Sequence, residues 1–227
     1  MHTLSKPLFF VHARFHRVRV LAVFACTVLP LIAAAGARCQ DNSALKPPAG
    51  ARVAIIEFDD LQCPSCAHAN PLLEGAAAKY KIPWIRHDFL IPYHNWSKAA
   101  AVNARWFDMH SKALGDEYRN QVFASQISIE TPIQLNQFTE RFAQSHNIAW
   151  PMMGVDPQGK LLDEVNADVA LGTRIGITLT PTIYIAIANS KAAPYIQVKD
   201  VDRDLYQDID QAFANARPPA TVKTAHK

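Results

Sequence analysis

The sequence predicts an α/β fold. Three observations carry that prediction: a β-rich apolar run leads into a helix-forming segment, the middle of the chain changes to helical spacing, and the end reads strand, strand, helix. Arg52 to Phe58 (RVAIIEF) suits a buried strand, and Asp59-Asp60-Leu61-Gln62 leads out of it. Pro64 to Lys81 follows as a helix, with Pro64 in the first turn, where a missing N–H costs nothing, and Pro71 expected to kink it. Trp84 to Leu90 is a second strand. From Asn95 to about Ile148 the spacing is helical, clearest over Ser97 to Leu114 and Pro132 to Ser145, and Trp106, Phe107, Phe138 and Phe142 are expected to form the core of that block. Lys160 to Leu171 adds a helix. Thr180-Pro181-Thr182-Ile183-Tyr184-Ile185 reads as a turn opening a strand, Tyr195 to Val198 as another strand, and Val201 to Ala216 as an amphipathic closing helix. The first strand–helix–strand unit implies a parallel pair with a right-handed crossover, and the last two strands an antiparallel hairpin.

With 227 residues, 49% of them hydrophobic, the chain can bury a core without needing more than one compact domain and an insertion. Its formal charge is +3, but four of the 23 basic residues (Lys6, Arg14, Arg17, Arg19) and none of the 20 acidic ones lie in residues 1–37. The remainder carries 19 basic against 20 acidic residues, which argues against nucleic acid as a partner. Residues 1–37 read as a secretory signal peptide: a basic start, an apolar run from Val20 to Ala35, and the small residues Ala35-Gly36-Ala37. An uncleaved N-terminal membrane anchor is the alternative. Cys39 does not support lipidation, because Arg38 stands where a small residue is expected. Residues 38–50 are polar, with Pro47-Pro48, and read as a linker, so the fold is expected to begin near Ala51; 217–227 reads as a flexible tail.

Of the four cysteines, Cys26 lies in the leader and Cys39 beside its end, so Cys63 and Cys66 are the pair placed in the folded body. In a Cys-x-x-Cys at a helix start, the first sulfur meets free backbone N–H groups and the positive end of the helix dipole, which lowers its pKa. Cys63 is therefore the candidate nucleophile. Cys66, one turn further in, is placed to attack a mixed disulfide at Cys63 and release the client. Two other readings compete: half of a zinc site drawing on His68, His87 or His94, which lacks a second paired motif, and a purely structural disulfide, which across so short a loop removes little unfolded-state entropy.

With Glu57-Phe58 leading to Cys63-Pro64-Ser65-Cys66, a long helical segment after it, and Thr180-Pro181 opening a late strand, residues 51–216 resemble the thioredoxin superfamily. Within it they are most similar to the DsbA-type periplasmic thiol:disulfide oxidoreductases, which carry a helical insertion in a thioredoxin-like fold. The resemblance implies that 51–94 and 173–216 form the thioredoxin-like domain and 95–172 the insertion. It implies that Glu57, six residues before Cys63, assists proton transfer, that Pro181 is cis, and that Thr180-Pro181 holds an extended client segment like an added strand. It further implies an extracytoplasmic enzyme, oxidase in type, that needs no cofactor, works as a monomer and exchanges disulfides with reduced or unfolded client proteins. A membrane-bound, quinone-linked reoxidase is the implied redox partner. A reductase or isomerase fed by a reductant-supplying membrane protein is the alternative, as is a metal- or peptide-binding module that keeps the fold without turnover.

Two departures bear on the chemistry: Ser65 stands where DsbA has His, and Asp59 and Asp60 precede the motif. Both are expected to stabilise the Cys63 thiolate less, giving an intermediate redox potential. His68 is a candidate source of compensating positive charge. His94, Asn95 and Trp96 are candidates to cap the insertion near the dithiol.

Overall fold

The computed structural model describes residues 44–217 apart from 153 and 191; the expected leader, Cys26, Cys39 and all but the first residue of the expected tail lie outside them. The strands are β1 (Val53–Asp59), β2 (Trp84–Asp88), β3 (Thr182–Ile187) and β4 (Tyr195–Gln197). The helices are α1 (Pro64–Tyr80), α2 (Ser97–His110), α3 (Lys112–Ser125), α4 (Pro132–Ser145), α5 (Lys160–Ile175) and α6 (Val201–Asn215). The sheet runs β2-β1-β3-β4. As expected, β1 and β2 pair in parallel and β3 and β4 antiparallel; β3 also lies antiparallel to β1, with Phe58 opposite Thr182.

β1 is paired on both edges and covered on both faces, which is why its sequence is a continuous apolar run. Its two faces feed separate cores. Val53 and Ile55 pack with Ile183, Ile185 and Ile187 beneath α1 (Ala69, Leu73, Ala76) and α6 (Leu205, Ile209, Ala212). Ile56 and Phe58 pack with Tyr184, Ala186 and Ile175 on the side of α5. That second core also takes in Leu45, 2% exposed, so the fold begins ahead of Ala51 and part of the expected linker is core. A single leucine among polar residues has no periodicity to announce it.

The helical block has its own core, built on Trp96, Phe107, Tyr118, Val122, Leu135 and Phe142, with Trp106 and Phe138 packed against it. The aromatic residues expected there are all present. The expected single helix from Ser97 to Leu114 is instead two. Ser111 is extended (φ −164°, ψ 150°), ends α2, and its hydroxyl accepts the Leu114 N–H at 3.1 Å to start α3. A serine hydroxyl satisfies an otherwise orphaned helix donor, and the apolar spacing that runs across the break conceals it. The 17-residue α1 continues through Pro71 and closes on Lys81 in the left-handed region (φ 52°). No helix among the described residues is long and apolar enough to cross a membrane.

Candidate active site

Cys63 sits where the β1–α1 connection turns into the helix. It is the N-cap residue of α1, Pro64 occupies the first turn, and the Cys63 carbonyl accepts the N–H groups of Cys66 and Ala67, both at 3.1 Å. Pro64 and Ser65 are exposed at the tip, whereas Cys63 is 7% exposed and Cys66 fully buried. Both cysteines belong to the core of the helical block, together with Leu61, Trp96 and Phe123. The dithiol therefore lies where the sheet domain and that block meet.

The Cys63 thiol is driven down from an ordinary 9.0 to about 5. The hydrogen bond from Cys66 contributes most; burial opposes, and Thr180 and the backbone N–H groups of Cys66 and Ser65 add to the lowering. Cys66 moves the other way, pushed up first by burial, then by its hydrogen bond to Cys63 and by the charges of Asp59 and Glu57. One thiol is ready as a thiolate at neutral pH and its neighbour keeps its proton.

The cis-proline loop faces this pair. The Thr180-Pro181 bond is cis, and the Cys63 thiol donates to the Thr180 carbonyl at 3.5 Å. The Thr180 hydroxyl oxygen is buried with no hydrogen-bond partner, which leaves its O–H available to a Cys63 thiolate. The pairing of Phe58 with Thr182 brings Pro181 to the end of β1 from which the Cys63 loop departs.

Glu57 lies beneath α1, 1% exposed. The Trp84 indole N–H donates to its Oε2 at 3.0 Å, and its Oε1 has no partner. Burial lifts its carboxyl from 4.5 to about 7, against the lowering effects of Arg86 and of the Trp84 hydrogen bond, with a smaller raising effect from Cys63. Glu57 can thus hold or release a proton near neutrality.

The two aspartates before the motif have roles other than those expected. Asp60 is the clamp of the loop: its Oδ1 accepts the Gln62 N–H at 2.8 Å, and its Oδ2 accepts the Ile91 N–H at 2.8 Å and pairs with His94 Nδ1 at 2.9 Å. Asp59 weighs on Cys66, and neither aspartate is among the leading influences on the Cys63 thiol, contrary to the expectation. The resulting value of about 5 still lies above the ~3.5 of DsbA. His68 does not compensate for the missing imidazole, because its Nε2 is engaged by Asp202 of α6 at 2.9 Å.

Asn95 and Trp96 do stand at the start of α2 near the dithiol, but the cap is Gln62. Its Oε1 accepts the N–H groups of Trp96 (2.8 Å) and Ser97 (3.1 Å), and its Nε2 donates to Asn95 at 3.2 Å. Gln126, just beyond α3, donates to the carbonyls of Leu61 (2.7 Å) and Cys63 (3.1 Å). These two glutamines tie the helical block to the cysteine loop, and sequence reasoning missed both, since a glutamine's partner leaves no local pattern. Arg86 and Trp84 were also missed as neighbours of Glu57; the pairing of Glu57 with Arg86 across the β1–β2 ladder is the signal that could have found the arginine. Beside Cys63 a groove of about 530 Å³ is lined by Gln62, Pro64, Trp96, Phe123 and Ile127. Ile127 is 93% exposed. Among the described residues no cluster of three or more His, Cys, Asp or Glu is arranged to hold a metal ion.

The comparisons with known proteins agree with this layout. Wolbachia pipientis alpha-DsbA1 superposes with a TM-score of 0.60 at 18% identity, covering 76% of this chain and 96% of that one. The thiol-disulfide exchange protein alpha-DsbA2 from the same organism gives 0.55 at 16% identity, over 73% and 84% of the two chains. BdbD from Bacillus subtilis gives 0.56 at 18% identity, over 74% and 89%. No curated protein matches by sequence. At these identities the likeness establishes the fold, a thioredoxin-like sheet with a DsbA-type helical insertion. A family model described as thioredoxin matches residues 49–197, taking in β1, the dithiol, the helical block, the cis-proline and β4. With the match spanning most of the chain and every part of the site, the chain belongs to the thioredoxin family.

Proposed function

We propose that this protein exchanges disulfides with client proteins outside the cytoplasm through Cys63 and Cys66, and that it acts in the oxidising direction. The observation that carries the reading is the split between the two thiols: Cys63 lowered to about 5 beside a buried Cys66 that stays protonated. A thiolate stabilised at neutral pH makes the reduced form the comfortable one and the disulfide an oxidant, which favours oxidase over reductase. At about 5 the thiolate is stabilised less than in DsbA, so the potential is expected between those of protein disulfide isomerase (about −180 mV) and DsbA (about −120 mV).

The residues divide the work as follows. A client thiolate attacks Cys63 Sγ in the oxidised protein, forming a client–Cys63 disulfide and sending the electron pair of the broken bond to Cys66. The client's second thiolate then attacks its own sulfur in the mixed disulfide and releases Cys63 as a thiolate, held by Cys66, Thr180 and the first N–H groups of α1. Thr180-Pro181 and the groove along Gln62, Trp96 and Ile127 hold the client segment. Glu57 supplies and removes protons beneath the dithiol. Residues 51–94, with Leu45 packed ahead of them, and 173–216 form the exchange domain and 95–172 its insertion, residues 1–37 direct export, the protein works as a monomer, and a quinone-linked membrane protein restores the disulfide.

The test is the equilibrium potential of Cys63–Cys66 against a glutathione series, together with refolding of a reduced client. A value between about −180 and −120 mV with client oxidation supports the oxidase. A value near −270 mV with insulin reduction makes it a reductase. Absence of a reversible couple, or turnover that survives Cys63→Ser, overturns the exchange reading.

A further inference from the structure

Asp59 is a buried acid beside the dithiol that the exchange steps above leave without a role. Asp59 ends β1 two residues beyond Glu57, so both carboxyls lie on the strand face that Val53 and Ile55 present to α1. α1 runs back over this face, with Leu73 and Ala76 packed on the Val53–Ile55 end, so Asp59 stands at the end of the row nearest Cys66. It is 2% exposed, and its Oδ2 has no hydrogen-bond partner. Among the described residues, the buried side-chain N and O atoms left without a partner are Glu57 Oε1, Asp59 Oδ2, Arg86 Nη1 and Thr180 Oγ1. All four belong to the site, and buried polar groups are otherwise paired in folded proteins.

The charged and titratable groups facing Asp59 are Glu57 on its own strand, Arg86 and Asp88 on β2, and Arg119 on α3, with Cys66 on α1 responding to it. Both cations have partners of their own, and neither hydrogen-bonds Asp59. Arg119 forks onto Asp108 at 2.9 and 2.6 Å, and Arg86 Nη2 is held by Asn70 and Asn120. Asp88 is taken by Arg105. Burial first, and Glu57 second, push the Asp59 carboxyl well above its usual range, so that it carries a proton where an ordinary aspartate would not. Its charge also weighs more on Cys66 than that of Glu57 does.

We propose that Asp59 is a second proton carrier of the site, serving Cys66 while Glu57 exchanges protons beneath the pair. This rests on the exchange reading above. As the client thiolate bonds to Cys63 Sγ and the S–S bond breaks, the electron pair goes to Cys66 Sγ. Asp59 gives that sulfur its proton, leaving a Cys66 thiol and a carboxylate faced by Arg86 and Arg119. Solvent, which received the client thiol's proton, returns one to the carboxylate. In the reverse direction the Asp59 carboxylate takes the Cys66 proton as the thiolate attacks the mixed disulfide.

The experiment is single-turnover reduction of the oxidised protein by dithiothreitol from pH 5 to 9, with rates expressed per dithiothreitol thiolate. Asp59→Asn is expected to slow it roughly 10- to 100-fold and to remove the decline in rate as the carboxyl loses its proton with rising pH. The Cys63 thiolate absorbance in the reduced variant should keep the wild-type midpoint. A wild-type rate and pH profile in Asp59→Asn overturns the proposal, as does a slowed rate that comes with a displaced Cys63 midpoint, since the effect would then pass through Cys63. If the variant does not fold, the carboxyl resonance of Asp59 in wild-type protein labelled with ¹³C decides: its titration should differ between oxidised and reduced forms, and identical titrations overturn the proposal. Failure of the exchange reading is distinguishable, because the wild-type disulfide itself would then not be reduced and reformed.

Discussion

Two buried charge clusters lie side by side on the β1–β2 pair, and they answer burial in opposite ways. In one, Arg105 of α2 donates through Nε and Nη2 to Asp88 at 3.0 and 2.7 Å and also to Asp168 of α5, while Asp168 pairs with His87 at 2.8 Å and accepts the Asp88 N–H at 3.1 Å. Burial works to raise the Asp168 carboxyl, but the His87 hydrogen bond and the His87 and Arg105 charges outweigh it and hold the group below its ordinary value. In the other cluster, Glu57 and Asp59 share the neighbourhood of Arg86, each leaves an oxygen unpartnered, and burial wins, raising both. The same desolvation thus fixes a charge where hydrogen bonds saturate it and stores a proton where they do not. The saturated cluster clamps α2 and α5 to the sheet, and the unsaturated one lies under the dithiol, where the proposed exchange would use a group that can change charge.

Three measurements break or sharpen this contrast. Arg105→Ala should have the largest effect, because it leaves buried Asp88 and half-buried Asp168 without the arginine; we expect a loss of about 3 kcal/mol in urea unfolding with the Cys63 thiolate midpoint unchanged. A loss below about 1 kcal/mol would remove the structural role assigned to that cluster. Next is the pH dependence of stability, measured on the oxidised protein, where Cys63 is silent. A carboxyl whose folded pKa is raised binds its proton more tightly when folded, so Glu57 should cost stability as pH rises from about 4.5 through about 7, by roughly 3 kcal/mol in all. Glu57→Gln should flatten much of that decline, and a variant that retains the full slope would show that Glu57 is not the group responsible. Asp168, being lowered, has the opposite sign: its contribution is lost only as pH falls through its folded pKa. The smallest effect is expected from Asn120→Ala, which takes one acceptor from Arg86 and should cost about 1 kcal/mol; a Cys63 midpoint displaced by this change would mean that the Arg86 network reaches further than the contrast allows.

Some of the site was legible at once because its signals are local. A proline and small residues after Cys63 announce a helix start, and the helix start itself supplies the N–H groups that lower the Cys63 thiol. The same holds for β1, whose unbroken apolar run reports burial on both faces. Glu57 was expected through the family resemblance, which implies an acid six residues before Cys63, but its raised carboxyl depends on its burial beneath α1, which outweighs Arg86 and the Trp84 hydrogen bond. Asp59 and Asp60 are neighbours in sequence with the same side chain, and only their surroundings separate them. One faces inward under α1 with an unpaired oxygen; the other gathers Gln62, Ile91 and His94 into a loop.

Sequence alone therefore determined the order of the strands, most of the helices and the Cys63–Cys66 pair at a helix start, because periodicity and helix-start chemistry are properties of adjacent residues, whereas the proline loop that faces the pair was expected only through the family resemblance. Tertiary structure decided which charges are bound and which are free. His68 is claimed by Asp202, Cys63 by Thr180, and the cysteine loop by Gln126, across separations of 134, 117 and 63 residues. Burial and the choice of partner belong to the packed chain, and at this site they are what separates a carboxylate from a stored proton.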